Sequence, residues 1–287
     1  MAPIWGRYGP FFLYGYNVVL GLGVLAALAV TAWRARHKDP LPNPLPRGEG
    51  TEDLLPNYLP QGEGAVAPLP NPLPEGEGTG AWLDGALAAA GGALVGGRGV
   101  YVWLNAAYFA ENPTEAAQVW LGGLNYHGAL LGGLAALWLW ARLSGRPFLR
   151  HAALFAPGLA LLVAFSWAAC AAEGCAFGRA APPGLWAGDL PDDTGVYALR
   201  YRTQIAGVLG ALAVFAVVWR VEARLRPAAL VWSTLGGLAL VHIVVALGRG
   251  DPSPVVLGAR LDFLMELGLS AAAVVAIGVG GLRKRGG

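Results

Sequence analysis

A chain of 287 residues that is 55% hydrophobic and only 13% charged, with a net charge of +2, is not composed like a soluble domain, which carries about 25% charged residues. The deficit comes from runs of roughly 20 residues almost free of charge, the length that crosses a ~30 Å hydrocarbon core. The composition therefore predicts an all-α integral membrane protein, and its basic residues carry no nucleic-acid signal because topology alone accounts for their distribution. Cys170 and Cys175 are the only cysteines, and no C-x-x-C or zinc-like His/Cys spacing occurs, so neither a metal site nor a disulfide framework is expected.

In chain order, the first apolar run covers about 12–33, with Tyr14 and Asn17 at its start. It lacks an upstream basic region and a following small-residue cleavage site, which reads as a retained helix within a segment 1–38. Residues 39–80 then repeat NPLPRGEG, NYLPQGEG and NPLPEGEG. Prolines remove backbone donors and Gly-Glu-Gly has no apolar surface to bury, so this insert is predicted to be disordered and cytoplasmic. Six more runs, at about 82–109, 124–143, 152–172, 203–219, 228–247 and 263–282, give a main bundle over 81–287 and seven transmembrane helices altogether.

Positive charge sets the predicted orientation. Arg34, Arg36 and Lys38 follow span one; Arg142, Arg146 and Arg150 separate spans three and four; Arg220, Arg224 and Arg226 separate five and six; Arg283, Lys284 and Arg285 follow span seven. With seven spans all four clusters fall on one side, placing the N-terminus outside and the C-terminus in the cytoplasm.

Polar residues within apolar runs are costly and mark candidate sites. Arg98 is framed by Gly96, Gly97 and Gly99, and His127 is followed by Gly128 and Gly132, a small-xxx-small face. His242 sits inside span six. The stretch SWAACAAEGCAFGRAAPPG contributes Glu173, Gly174, Gly178 and Arg179, and the next outer segments contribute Arg200, Gln204 and Arg249. Each has a blander reading as a buried partner or interfacial anchor. Together with Tyr14 they fall in the outer half of the bundle, where cations and an imidazole suit an anionic phospholipid headgroup beside a base. No paired broken helices or inverted repeat points to a transporter.

The series GGRGVYVWLN, ENP and VWLGGLNYHGALLGG resembles, in order, the G-G-R-x-G-Y, D-P and W-x-G-G-x-x-x-H-G-G-L-x-G elements of the prolipoprotein diacylglyceryl transferase family. LYGYN is similar to its W-Y-G-L-x-Y, placing Tyr14 on the family tyrosine. FAP, CAAEGCAFGR, RYRTQ and GRGDP resemble D-x-x-A-P, C-F-x-x-G-C-C-Y-G-R, R-Y-P-T-Q and L-R-G-D-P. The resemblance covers nearly the whole chain outside the insert. It implies transfer of a diacylglyceryl group from phosphatidylglycerol to the thiol in a prolipoprotein signal peptide, releasing glycerol phosphate, with no cofactor. His127 falls on the catalytic base. Arg98, Tyr14, Arg200, Gln204, His242 and Arg249 fall near the lipid headgroup, and Gly97, Gly128, Gly174 and Gly178 on positions of close approach.

The departures are specific. Two family arginines fall on Trp167 and His242, its glutamate after the second on Ala246, and the second glycine of H-G-G on Ala129. The Y-E after R-Y-P-T-Q becomes Ala206 and Gly207, and the aspartate of D-x-x-A-P becomes Ala153. Neither Trp nor neutral His supplies the bidentate donors of a lost arginine, so the alternative implied function is a membrane protein that binds lipid or signal peptide without turnover.

Overall fold

The computed structural model describes residues 4–8, 11–37, 81–192 and 194–282; the predicted insert at 39–80 lies outside them. A hairpin of β1 (Ile4–Tyr8) and β2 (Phe11–Tyr14) leads into α1 (Gly15–His37). The bundle continues through α2 (Ala81–Leu104), the short α3 (Ala106–Glu111), α4 (Tyr126–Leu143) and α5 (Phe148–Glu173). Hairpin β3 (Ala187–Pro191) and β4 (Tyr197–Tyr201) precedes α6 (Thr203–Val221) and α7 (Pro227–Ala246); a two-residue pair, β5 (Val255–Val256) and β6 (Ala259–Arg260), precedes α8 (Leu261–Leu282).

Six of these helices, α1, α2 and α5 to α8, are long and apolar enough to cross a membrane. In hydrocarbon every backbone group must be satisfied internally, which selects helices for these runs. α4 is 18 residues long and carries both His127 and Arg142, so it falls outside the six. The apolar run at 82–109 does not form one helix: α2 ends at Leu104, where Asn105 takes its side chain back to the Tyr101 carbonyl, and α3 starts afresh. The architecture is mostly helical rather than purely so, because hairpins occupy the polar connections at one end.

Small residues decide which helices touch. A Cβ on Gly128 would collide with the Gly96 carbonyl, and one on Gly132 with the Gly92 carbonyl. α2 and α4 thus approach backbone to backbone, the way helices associate where no hydrophobic force separates lipid from protein. Gly97 belongs to the same seam: its carbonyl accepts from the Asn125 N–H at 2.9 Å, and its missing Cβ would sit 3.1 Å from the Ala129 methyl. Asn125 then caps α4 by accepting from the Gly128 N–H, a side-chain satisfaction of an otherwise orphaned donor.

At one end of the bundle, α1, α5 and α6 meet around a buried cation. Pro157 lies inside α5 and is almost fully buried. A proline has no N–H, so the carbonyl four residues earlier, Ala153, loses its helical donor. Arg34 of α1 supplies it, donating from Nη1 to Ala153 O at 2.9 Å and also to Leu154 O. Its Nη2 pairs with Glu222 at 2.8 Å, with both side chains under 10% exposed. Arg34 thus joins α1 to α5 and to the turn that follows α6.

At the opposite end, α5 stops at Gly174, which adopts φ +85° as the left-handed C-cap, a conformation glycine reaches without strain. The reversal brings Cys175 back over the last turn, and Cys170–Cys175 form a disulfide with Cα atoms 4.8 Å apart. The expectation of no disulfide is corrected here. Sequence spacing alone offered no recognised framework, whereas a helix end followed by a glycine turn folds the two cysteines together.

Candidate functional site

His127 begins α4, His242 lies near the end of α7, and Glu266 lies in the second turn of α8. The fold brings the three together. Glu266 Oε1 is 3.1 Å from His127 Nε2 and 3.1 Å from His242 Nδ1. The glutamate side chain is 2% exposed and the imidazoles 13% and 12%, so the carboxylate is more deeply covered than the rings. Tyr126 packs its ring 4.3 Å from His242, and the Trp167 indole lies 5.3 Å from it on the far wall. Tyr126 Oη, Trp167 Nε1, Ser270 Oγ and Glu266 Oε2 are all buried without a hydrogen-bond partner among the described residues, and His127 Nε2, His242 Nδ1 and Glu266 Oε1 meet at ion-pair distance without the alignment of a hydrogen bond. Buried polar atoms are ordinarily paired, so this concentration is itself a mark of function.

Sequence reading found the two histidines but not their carboxylate. Glu266 stands alone in the apolar run FLMELGLS. A lone acid within a membrane helix is the signal that identifies it.

Trp167 explains two of the departures at once. A Cβ on Gly207 would lie within the Trp167 ring, and that ring packs against His242. The large residue at 167 fills the space left by the absent side chain at 207. Trp167 is 6% exposed and belongs to an apolar cluster with Ala211, Leu238 and Val245.

The candidate cations each have counter-groups of their own. Arg98, 7% exposed, donates Nε to Ala116 O, Nη1 to Gly122 O and Gly123 O, and Nη2 to Glu115 O, at 2.6–3.0 Å. It lies over the rings of Tyr101 and Phe109 as well. Arg98 therefore ties down the irregular segment between α3 and α4, and through it the start of the His127 helix. Arg249 pairs with Asp251 and with Asp262, the latter at 3.0 Å, and Arg260 joins the same two acids.

Gln204 donates to the Cys175 carbonyl at 2.9 Å, and together with Gly174 it lines a small cavity of about 80 Å³ beside Ala171, Leu190, Pro191 and Ile205. Gly178 threads between two strands' ends: it bridges Arg249, and a Cβ there would strike the Tyr201 carbonyl. Tyr14 closes hairpin β1–β2 opposite Ile4, next to α1. His127 and His242 share one centre, Gln204 and Gly174 share the disulfide end, and Gly178, Arg200 and Arg249 share the hairpin layer.

Arg200 lies over the Phe177 ring and donates to Asp192 Oδ2 at 3.0 Å. The Asp192 carboxyl is held below the usual carboxylate range, chiefly by the Thr194 hydroxyl, then by the Val196 and Thr194 N–H groups and the Arg200 guanidinium. A depressed carboxyl stabilises the fold above its unfolded value and loses that contribution as pH falls through its folded value. The β3–β4 hairpin should therefore lose amide-exchange protection as pH drops below about 4, ahead of the helices. Protection unchanged down to pH 2 would contradict this.

The sequence model of the family described as prolipoprotein diacylglyceryl transferase matches residues 76–282. Three proteins named phosphatidylglycerol–prolipoprotein diacylglyceryl transferase are similar to the chain. That of Nitratidesulfovibrio vulgaris is 35% identical over 57% of this chain and 61% of its own length. That of Azoarcus sp. is 36% identical over 47% and 52%, and that of Aromatoleum aromaticum 32% identical over 66% and 72%. The chain thus spans less than two thirds of the first two relatives and more than two thirds of the third.

Proposed function

The chain belongs to the prolipoprotein diacylglyceryl transferase family, and from that premise we propose that it transfers a diacylglyceryl group from phosphatidylglycerol to the cysteine thiol of prolipoprotein signal peptides. The observation that carries this is the buried His127–Glu266 contact at 3.1 Å, which provides an oriented base at one end of a membrane bundle. A thiol is mostly protonated at neutral pH, and the thiolate is the nucleophile. His127 takes that proton. Arg98 acts by fixing the segment that starts α4, Gln204 and Tyr14 by shaping the same end, and Arg200 and Arg249 by presenting positive charge to the departing phosphate through partly exposed guanidinium edges.

The proposal places seven helices across the bacterial inner membrane, α4 included, with the N-terminus outside. Support comes from two opposed ends. Arg34, Arg36, Arg142, Arg146, Arg220 and Arg224 lie at the helix ends shared by α1, α4, α5 and α6, the bias that marks the cytoplasmic side. The disulfide lies at the other end, as in an oxidising compartment. On this reading the segment 1–38 holds the first transmembrane helix and its outer N-terminal part, 39–80 is a cytoplasmic insert, and 81–287 holds the rest of the bundle.

One observation favours a second reading, binding of lipid or signal peptide without turnover: Trp167 fills space next to His242 with an apolar ring. The test is lipidation of a lipobox peptide by the purified chain in phosphatidylglycerol micelles. Mass addition of a diacylglyceryl group is expected. Binding of phosphatidylglycerol with no added mass would establish the second reading instead.

A further inference from the structure

Two imidazoles meeting one carboxylate oxygen make a centre whose charge can move without leaving its counter-ion. Glu266 Oε1 is equidistant, at 3.1 Å, from His127 Nε2 and His242 Nδ1. Both nitrogens and the oxygen are inaccessible to solvent, although each imidazole side chain keeps about an eighth of its surface exposed. The exposed surface therefore belongs to other atoms of the rings. A nitrogen turned toward a carboxylate carries its proton, which leaves Nδ1 of His127 and Nε2 of His242 as the ring atoms that can meet substrate.

We infer that Glu266 is a positioning residue that sets the two histidines as a base and acid pair, with His242 protonating the leaving phosphate oxygen while His127 deprotonates the thiol. This rests on the transfer reaction proposed above. In the step, the thiol proton passes to His127 Nδ1 and the sulfur forms a bond to the glyceryl carbon. The bond from that carbon to the phosphate oxygen breaks, and its electron pair takes the proton from His242 Nε2. The products are the thioether and glycerol phosphate. Before the step His242 is the imidazolium; afterwards His127 is. The sum over the three groups is zero in both states, and the positive charge stays 3.1 Å from the same oxygen. Separated charge is expensive in a low-dielectric site, and this arrangement avoids it.

The other groups facing the centre support the assignment. Tyr126 of α4 presents a ring and a buried hydroxyl, Trp167 of α5 an indole, and Ser270 a hydroxyl one turn beyond Glu266 on α8. No arginine or lysine among the described residues pairs with Glu266. Its only ionic partners there are the two imidazoles.

The test uses the full chain in phosphatidylglycerol nanodiscs with a lipobox peptide, following kcat and KM from pH 5 to 9. Glu266→Gln, which keeps the shape and removes the charge, should lower kcat by about 10²-fold with KM for the lipid within about twofold, and Glu266→Asp should recover part of the rate. His242→Gln should remove the alkaline limb of the kcat profile, where the acid loses its proton, and keep the acidic limb. Nitrogen-15 spectra of labelled histidine should show His127 protonated at Nε2 in the wild type and mixed between tautomers in Glu266→Gln. Variants with wild-type kcat and both limbs intact would overturn the inference. A wild type that transfers nothing overturns the proposed reaction instead. The spectra separate the two failures, since a mixed His127 tautomer in the wild type removes Glu266 from its role whether or not there is turnover.

Discussion

If the chain carries out the proposed transfer, replacing His127 by alanine should lower peptide lipidation by about 10²–10⁴-fold at pH 7, the range a positioned general base supplies. At that pH only a few per cent of an ordinary thiol, with a pKa near 8.5, is thiolate. Without the imidazole the reaction depends on that small fraction. The fold should tolerate the change, because Glu266 retains His242 at 3.1 Å and is not left without a partner. Asn125 continues to cap α4 through the Gly128 N–H, and the α2–α4 glycine seam does not involve the ring. Raising the pH should narrow the gap, since more thiolate forms without assistance. Rates for wild type and variant at pH 7 and 9, with lipid and peptide saturating, check both statements. Equal ratios at the two pH values would mean that His127 does not act on the thiol proton.

The largest loss of stability is expected from Arg34→Met. Methionine retains the apolar stem but leaves Glu222 as a buried charge without Arg34, and it strips the Ala153 carbonyl of the donor that Pro157 makes necessary and the Leu154 carbonyl of an added contact. Breaking a buried pair from one side costs about 3–5 kcal/mol, and the Ala153 carbonyl, deprived of its donor, adds roughly 1–3 kcal/mol unless water reaches it. The double variant Arg34→Met with Glu222→Gln removes the charge that Arg34 had faced and should regain a large part of the loss. Unfolding of the purified proteins in micelles measures both. A double variant no more stable than the single one would show that the carbonyls, not the ion pair, dominate.

The membrane helices were legible because their signal is local. A run of about 20 apolar residues specifies a helix wherever it lies in a bilayer, and α1, α5, α6, α7 and α8 follow the predicted runs closely. Local sequence also marked the glycines of the α2–α4 seam, since Gly128 and Gly132 already sit on one helical face. The 82–109 run is long enough for a helix plus an interfacial end, but the position of the break at Asn105 was not legible because hydropathy does not register where a helix ends. The disulfide was missed for a related reason: CAAEGC becomes a pair only when Gly174 turns left-handed.

The sequence by itself determined a polytopic helical protein and its family, and it singled out His127 as a candidate, because hydropathy and ordered motifs are properties of neighbouring residues. Only the tertiary structure decided what His127 touches. Glu266 lies 139 positions away in sequence and His242 another 24 before it, and no periodicity relates them. Helix packing brings them to one oxygen, and the same packing turns Trp167 and Gly207 from two unrelated departures into one complementary fit. Contacts between helices depend on which faces meet, and that follows from the whole bundle burying its polar groups at once.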